Sequence, residues 1–221
     1  MINIESYISD LISLLQLRFG ARLLYVGLQG SHFRGEATDS SDIDIMVIID
    51  SLSITDLMQY RRVIQTLPFF DKSCGFICSK QDLENWNPLE ICHLVHTTKD
   101  YYGVLRDFVS NYSHEDIRNF VKISVNNLYH EICHRYVHSR NNDDMVKLTG
   151  SYKCVFFILQ NLYYLNYGRF IATKTELVSA LNDDNRRILI RAMELERGVM
   201  YEFQDSFALL FDWCQKILQT V

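Results

Sequence analysis

Only two prolines occur in 221 residues, which argues against a long proline-stiffened linker, and no internal repeat or low-complexity tract divides the chain into an array. A basic excess is also missing. Lys and Arg number 22 against 27 Asp and Glu, for a formal charge of -5, and no Lys/Arg cluster interleaves with aromatics, so extended nucleic acid is disfavoured as a partner. No apolar run approaches the roughly 20 residues of a membrane-spanning helix. Met1-Ile2-Asn3-Ile4-Glu5 opens an amphipathic helix rather than a signal peptide, and the cytoplasm is the expected compartment. The six cysteines, at 74, 78, 92, 133, 154 and 214, are scattered through apolar segments and read as buried free thiols, not a disulfide framework. Cys74 and Cys78 would lie about 13 Å apart along a strand, too far to share one ion.

What the chain does have is 48% hydrophobic residues, enough for a sizeable core and two compact units. Up to about residue 100 short β-rich runs alternate with helices at 4–18, 54–66 and 79–86. Apolar strands are expected at 23–28, 43–49 and 72–78, with a further one within 90–98. Beyond Ser113-His114-Glu115-Asp116, a good N-terminal cap with early acids, helical periodicity dominates over 114–138, 144–166, 173–182, 184–197 and 200–219. The expected division is an α/β domain over 1–110 followed by an all-α helical bundle over 111–221.

The most informative segment runs from Gly30-Ser31 to Asp42-Ile43-Asp44-Ile45-Met46-Val47-Ile48-Ile49. In a strand of period two, Asp42 and Asp44 project from one face while Ile43 and Ile45 pack on the other. Two like charges so close repel, and keeping both ionised calls for a cation between them; an all-oxygen pair suits magnesium or manganese better than zinc. The alternative is a wet sheet face with ordinary surface aspartates. Against it, Ile43 to Ile49 is interrupted by Asp44 alone, as in a strand buried on both faces, where an isolated carboxylate is costly. Upstream, Leu23 to Leu28 delivers the Gly30-Ser31 turn beside the carboxylates. Gly30 can adopt backbone angles closed to other residues and expose its N–H, and Ser31 adds a hydroxyl, as close approach of a polyphosphate requires.

Gly30-Ser31, ten intervening residues, then Asp42-Ile43-Asp44 and an apolar strand resemble the signature of the DNA polymerase beta-like nucleotidyltransferase superfamily, as do Arg34-Gly35 and Ser41. The resemblance implies a mixed sheet flanked by helices, two magnesium ions held by the motif's carboxylates, and transfer of a nucleoside monophosphate from a triphosphate to a hydroxyl. In such a displacement one ion activates the attacking hydroxyl and the other neutralises the leaving pyrophosphate. Asp42 and Asp44 would bridge them, with Ser31 and the Gly30 amide on the β- and γ-phosphates. The family usually adds a third carboxylate from a neighbouring strand. Lys72-Ser73-Cys74-Gly75-Phe76-Ile77-Cys78 contains no acid; Asp71, at its start, is the candidate because the odd-numbered positions that would share its face include Ser73 and Gly75, small enough to leave space for a ligand, and an ordinary turn aspartate after Pro68 is the equal alternative. Asp82 and Glu84, in a short helix capped by Ser79, are poorer choices.

In the helical half, Leu148, Tyr152, Val155, Leu159 and Leu162 form a core stripe. Lys153 neighbours Phe156, Phe157, Gln160 and Tyr164, an apolar setting for an ammonium unless it snorkels or meets an anion. Asn161 to Leu177, with Tyr163-Tyr164, Gly168 and Lys174, resembles the helical domain of streptomycin/spectinomycin-type aminoglycoside adenylyltransferases. That resemblance implies a phosphate contact for Lys174, although Gln160 stands where an arginine is usual and Lys153 would have to replace it. A solvated lysine in a helix's first turn is the alternative. His130, His134 and His138 share one helix face beside Cys133. Adjacent turns can supply two ligands, but the outer two are about 12 Å apart along the axis, so one ion cannot use all three.

Together these features predict a nucleotidyltransferase using magnesium, or manganese, and ATP or another nucleoside triphosphate. The expected acceptor is a small-molecule hydroxyl; the resemblance of the helical half points to an aminoglycoside as leading suggestion, and acids such as Glu90 or Asp100 could meet a polycation. The alternatives are a protein or tRNA hydroxyl, as in antitoxin-like minimal nucleotidyltransferases, and an inactive nucleotide-binding regulatory module, motivated by the acid-free strand.

Overall fold

In the computed structural model, which describes residues 2–139 and 144–221, the chain divides into two compact units, Met1–Tyr112 and Ser113–Val221. The first carries, in chain order, α1 (Ile4–Phe19), β1 (Leu23–Leu28), α2 (Gly30–Arg34), β2 (Ile43–Ile49), α3 (Ile54–Thr66), β3 (Ser73–Ser79), α4 (Lys80–Glu84), α5 (Pro88–His96) and β4 (Lys99–Tyr102). Among the described residues the strands form one mixed sheet in the order β3-β2-β1-β4. β1 is antiparallel to both β2 and β4, and β2 is parallel to β3.

Alternation along β2 sorts its side chains onto two layers. Ile43, Ile45, Val47 and Ile49 join a core with Tyr7, Ile8, Leu11 and Leu15 of α1. Met46 and Ile48 face the opposite way, toward Tyr25, Cys78, Leu83 and Leu105. All seven residues of β2 except Asp44 are buried, as an apolar run interrupted by Asp44 alone requires. Local signals set the helix starts: Ser53 with Asp56 and Ser79 with Asp82 form reciprocal capping boxes on α3 and α4.

One expected strand is a helix. Residues 88–96 form α5, and β4 begins only at Lys99. Asn87 caps the helix, accepting from the Leu89 N–H at 3.1 Å, and Pro88 occupies the first turn, where its missing N–H costs nothing. These two residues outweigh the strand-like look of a short apolar run. The third strand runs from Ser73 to Ser79, with Lys72 in a 3-10 turn ahead of it.

Where β1 begins, Arg22 reaches Asp50 at 2.9 Å and Asp56 at 2.8 Å. Its hydrogen bonds hold the Asp56 carboxyl well below the usual carboxylate range, assisted by the Ser53 hydroxyl. A depressed folded-state pKa stabilises the fold fully above the unfolded carboxyl value, about pH 4, and this contribution fades as pH falls through the folded value. Arg22→Gln is therefore expected to lower the Tm at pH 7 and progressively less below pH 4. Melts of both proteins from pH 7 to pH 2 check this; a Tm difference that persists unchanged in acid would refute it.

The second unit is all helical: α6 (His114–His138), α7 (Met145–Tyr167), α8 (Lys174–Ala180), α9 (Asp183–Glu196) and α10 (Phe203–Thr220). One core joins Val121, Val125 and Leu128 of α6 to Tyr152, Val155 and Leu159 of α7, Ile188 and Leu189 of α9, and Leu210, Trp213 and Ile217 of α10. Two of its polar groups are bonded inside it: Tyr152 donates to the Ser206 carbonyl at 2.7 Å, and the Trp213 indole to Asn185 at 2.9 Å. The cysteines are free, but Cys74 and Cys154 are exposed, contrary to the expectation of burial. Burial pushes the Cys78 and Cys214 thiols up to about 12 and Cys92 up to about 11.

Candidate active site

Asp42 is exposed at the edge of β2 and Asp44 is half-buried inside it. Asp44 takes the parity of Met46 and Ile48, so its carboxylate lies on that face of the sheet. The main chain fixes its neighbour: the Gln29 N–H donates to the Asp44 carbonyl at 2.9 Å, and α2 starts at the next residue. Gly30 has φ +67°, and a Cβ added there would sit 1.9 Å from Oδ2 of Asp44. The backbone of Gly30 thus lies directly against the carboxylate, an approach no other residue permits.

Further groups converge on the pair, and two of them carry no motif signal. Nε2 of His32 is buried with no hydrogen-bond partner among the described residues. Burial lowers the His32 pKa from its ordinary value, the Asp44 carboxylate opposes that, and Lys72 reinforces it. Cys74 is the register partner of Asp44 across the parallel β2–β3 pair. Although the residue is exposed overall, partial removal of its thiol from water pushes the thiol up; the Gly75 backbone opposes this, while a hydrogen bond to Asp44 and the charges of Asp44 and Asp42 add to the rise, so it stays a neutral donor. Only the strand register, which joins residues 30 positions apart, could have singled it out.

The loop between α2 and β2 is self-bonded. The Thr38 N–H donates to the Ser41 hydroxyl at 2.9 Å, Arg34 pairs with Glu36 at 2.9 Å, and Lys72 donates to the Asp39 carbonyl. Ser31 stands half-buried in the first turn of α2, its hydroxyl without a hydrogen bond among the described residues. Neither Asp42 nor Asp44 takes part in an ion pair among the described residues. Two carboxylates two residues apart in the chain, neither in an ion pair, beside a backbone that carries no side chain, suit a hard cation with oxygen ligands.

Asp71 lies exposed in the 3-10 turn Phe70–Lys72, outside β3. The even-numbered residues of β3, not the odd ones, share the face of Asp44. Among the described residues no three His, Cys, Asp or Glu side chains come together as a metal-holding group, so the cation reading rests on the pair. Glu90 accepts from the Trp86 indole at 2.6 Å, and Asp100 from the Tyr25 hydroxyl at 2.6 Å; both acids are engaged in structural bonds.

In the second unit Lys153 is exposed beside Phe157, not in an apolar setting. Lys174 pairs with Glu196 and lies 5.8 Å from the centre of the Phe156 ring. Gln160 is fully buried, and its amide donates to the carbonyls of Ile171 at 2.8 Å and Ala172 at 3.1 Å, which anchors the segment leading to Lys174.

No family model and no curated protein sequence matches the chain. Among solved structures, spectinomycin adenyltransferase AAD(9) from Enterococcus faecialis, in a structure with ATP and spectinomycin, superposes with a TM-score of 0.61 at 16% identity, over 98% of this chain and 100% of that one. A toxin-antitoxin structure with AMP-PNP matches with a TM-score of 0.35 at 21% identity, over 62% of this chain and 94% of that one. The first likeness spans both units and is one of fold. A mixed sheet with flanking helices is the architecture that the resemblance of the motif implies, and the helical unit after it is the one the periodicity of 114–219 predicts.

Proposed function

We propose that the chain is a metal-dependent nucleotidyltransferase that moves AMP from ATP to a hydroxyl of a small molecule. The observation that carries this reading is the Asp44 carboxylate lodged in the space left by Gly30, with Asp42 two residues earlier and neither acid neutralised. The fold shared with a protein seen with ATP and spectinomycin supports it, and makes an aminoglycoside the leading acceptor class.

Asp42 and Asp44 would hold magnesium or manganese. When bound, such ions lower the pKa of an attacking hydroxyl and neutralise the charge of departing pyrophosphate. The Gly30 backbone and the Ser31 hydroxyl would position phosphate oxygens beside the pair, a contribution of placement and charge rather than covalent chemistry. Asp71 is the further acid offered to this site; Lys153 and Lys174 are offered as phosphate contacts by the resemblance of the helical half, and the ion pair of Lys174 with Glu196 would have to open for its ammonium to meet phosphate.

One observation favours a second reading, a nucleotide-binding module without turnover: the neighbouring strand faces Asp44 with the Cys74 thiol instead of a third carboxylate. Pyrophosphate release with magnesium and ATP separates the two, measured with spectinomycin, streptomycin, protein and tRNA as acceptors. Acceptor-dependent release with an aminoglycoside is expected. Release only with protein or tRNA would move the acceptor class, while calorimetric ATP binding without release under any condition would sink the enzyme reading.

A further inference from the structure

The three histidines of α6 stand apart from the site just described. His130, His134 and His138 are all exposed, and none forms a hydrogen bond or ion pair among the described residues. The intervening polar groups are committed elsewhere: Glu131 binds Arg135 at 2.7 Å and accepts from the Ser151 hydroxyl at 2.8 Å. The imidazoles are left in a row along the helix surface, each ring tilted against the next.

Their spacing is unequal. The ring centroids of His134 and His138 are 4.9 Å apart, those of His130 and His134 6.0 Å. With metal–nitrogen bonds of about 2.0–2.1 Å, two imidazoles sharing one ion at angles between about 90° and 110° have centroids roughly 4.5–5.3 Å apart. His134 and His138 already meet this requirement; His130 and His134 do not. The chelate therefore needs no change in the separation of two rings held on a regular 25-residue helix.

We propose that His134 and His138 form a surface site for one borderline divalent transition metal of the zinc, nickel or copper class. Imidazole nitrogen suits these ions far better than magnesium, whose ligands are oxygens. The site therefore does not compete for the cation at Asp42 and Asp44, and the proposal stands whether or not the chain transfers nucleotides. The remaining coordination positions face solvent and are filled by water.

The test is calorimetric titration with Zn2+ alone, in buffer free of magnesium and nucleotide, after the exposed thiols of Cys74 and Cys154 are capped with N-ethylmaleimide. One ion per chain is expected. His134→Ala and His138→Ala should each weaken binding at least about tenfold, because the second ligand no longer closes intramolecularly. His130→Ala and the double variant Asp42→Asn/Asp44→Asn should bind as the parent does. The exposure of all three histidines keeps folding out of the comparison. Absence of Zn2+ binding, unchanged affinity in His134→Ala or His138→Ala, or equal loss in His130→Ala would overturn the assignment.

Discussion

Asp44→Asn is expected to reduce acceptor-dependent pyrophosphate release by about a hundred- to a thousandfold or more, the scale on which removal of one electrostatic stabiliser acts, without unfolding the protein. The fold should survive because asparagine keeps both ties of Asp44: its main-chain carbonyl still accepts from Gln29, and its side-chain amide oxygen can still accept from the Cys74 thiol. Asparagine also fits the space beside Gly30, since the side chain keeps its shape. What is lost is charge: a neutral amide opposite Asp42 no longer attracts a divalent cation strongly, and the developing charge on the departing phosphates goes uncompensated. Asp42→Asn should act similarly, and the double variant should cost little more than either single change, as for groups that serve as one unit. Melting curves check the fold and manganese binding reports the site independently of turnover. Full turnover by the double variant with an unchanged melting curve would remove these residues from the chemistry.

How much of this site was legible in the sequence depended on the distance over which each relation acts. Asp44 takes its face through alternation inside β2, Asp42 comes immediately before that strand, and Gly30 follows β1 by two residues; such relations are local. The position opposite Asp44 was not legible, because it depends on the register of β2 against β3. Reading Asp71 as the start of a strand aligned odd-numbered residues with the carboxylates, whereas pairing of Asp44 with Cys74 aligns the even ones. His32 lay inside the motif, but its orphaned Nε2 is a matter of packing, which no spacing announces. The same distinction separates the helices from α5. Long periodic segments such as α6 and α7 identify themselves, while nine residues with a few apolar positions fit strand or helix equally, and only the Asn87-Pro88 start decides. Lys153 shows the limit of local reading in a helix: its sequence neighbours are aromatic, yet Phe157 beside it is itself 39% exposed, so the face it shares is open to solvent.

Gly75→Ala is expected to be the most destabilising small substitution in the first unit. Gly75 has φ +105°, and a Cβ built there would lie 2.0 Å from the carbonyl oxygen and 2.6 Å from the nitrogen of Ile45. Both are main-chain atoms of β2, between β1 and β3 in the sheet, so the clash cannot be relieved by turning a side chain. Either β3 separates from β2 or the backbone at 75 leaves its conformation. Backbone strain of about 1–3 kcal/mol adds to overpacking of about 1–3 kcal/mol, for a total of roughly 2–6 kcal/mol against a typical stability of about 5–15 kcal/mol. Any molecules that still fold should also lose activity, because the same strand pairing sets Cys74 against Asp44. Gly150→Ala provides the control. Gly150 lies within α7 with nothing within 4 Å of an added Cβ among the described residues, so alanine should stabilise that unit by about 0.5–1 kcal/mol through helix propensity. Urea midpoints of the two variants should therefore move in opposite directions. A Gly75→Ala protein as stable as the parent would mean that β3 does not approach Ile45 as closely as its register with β2 requires, and would remove the geometric basis for placing Cys74 beside the carboxylates.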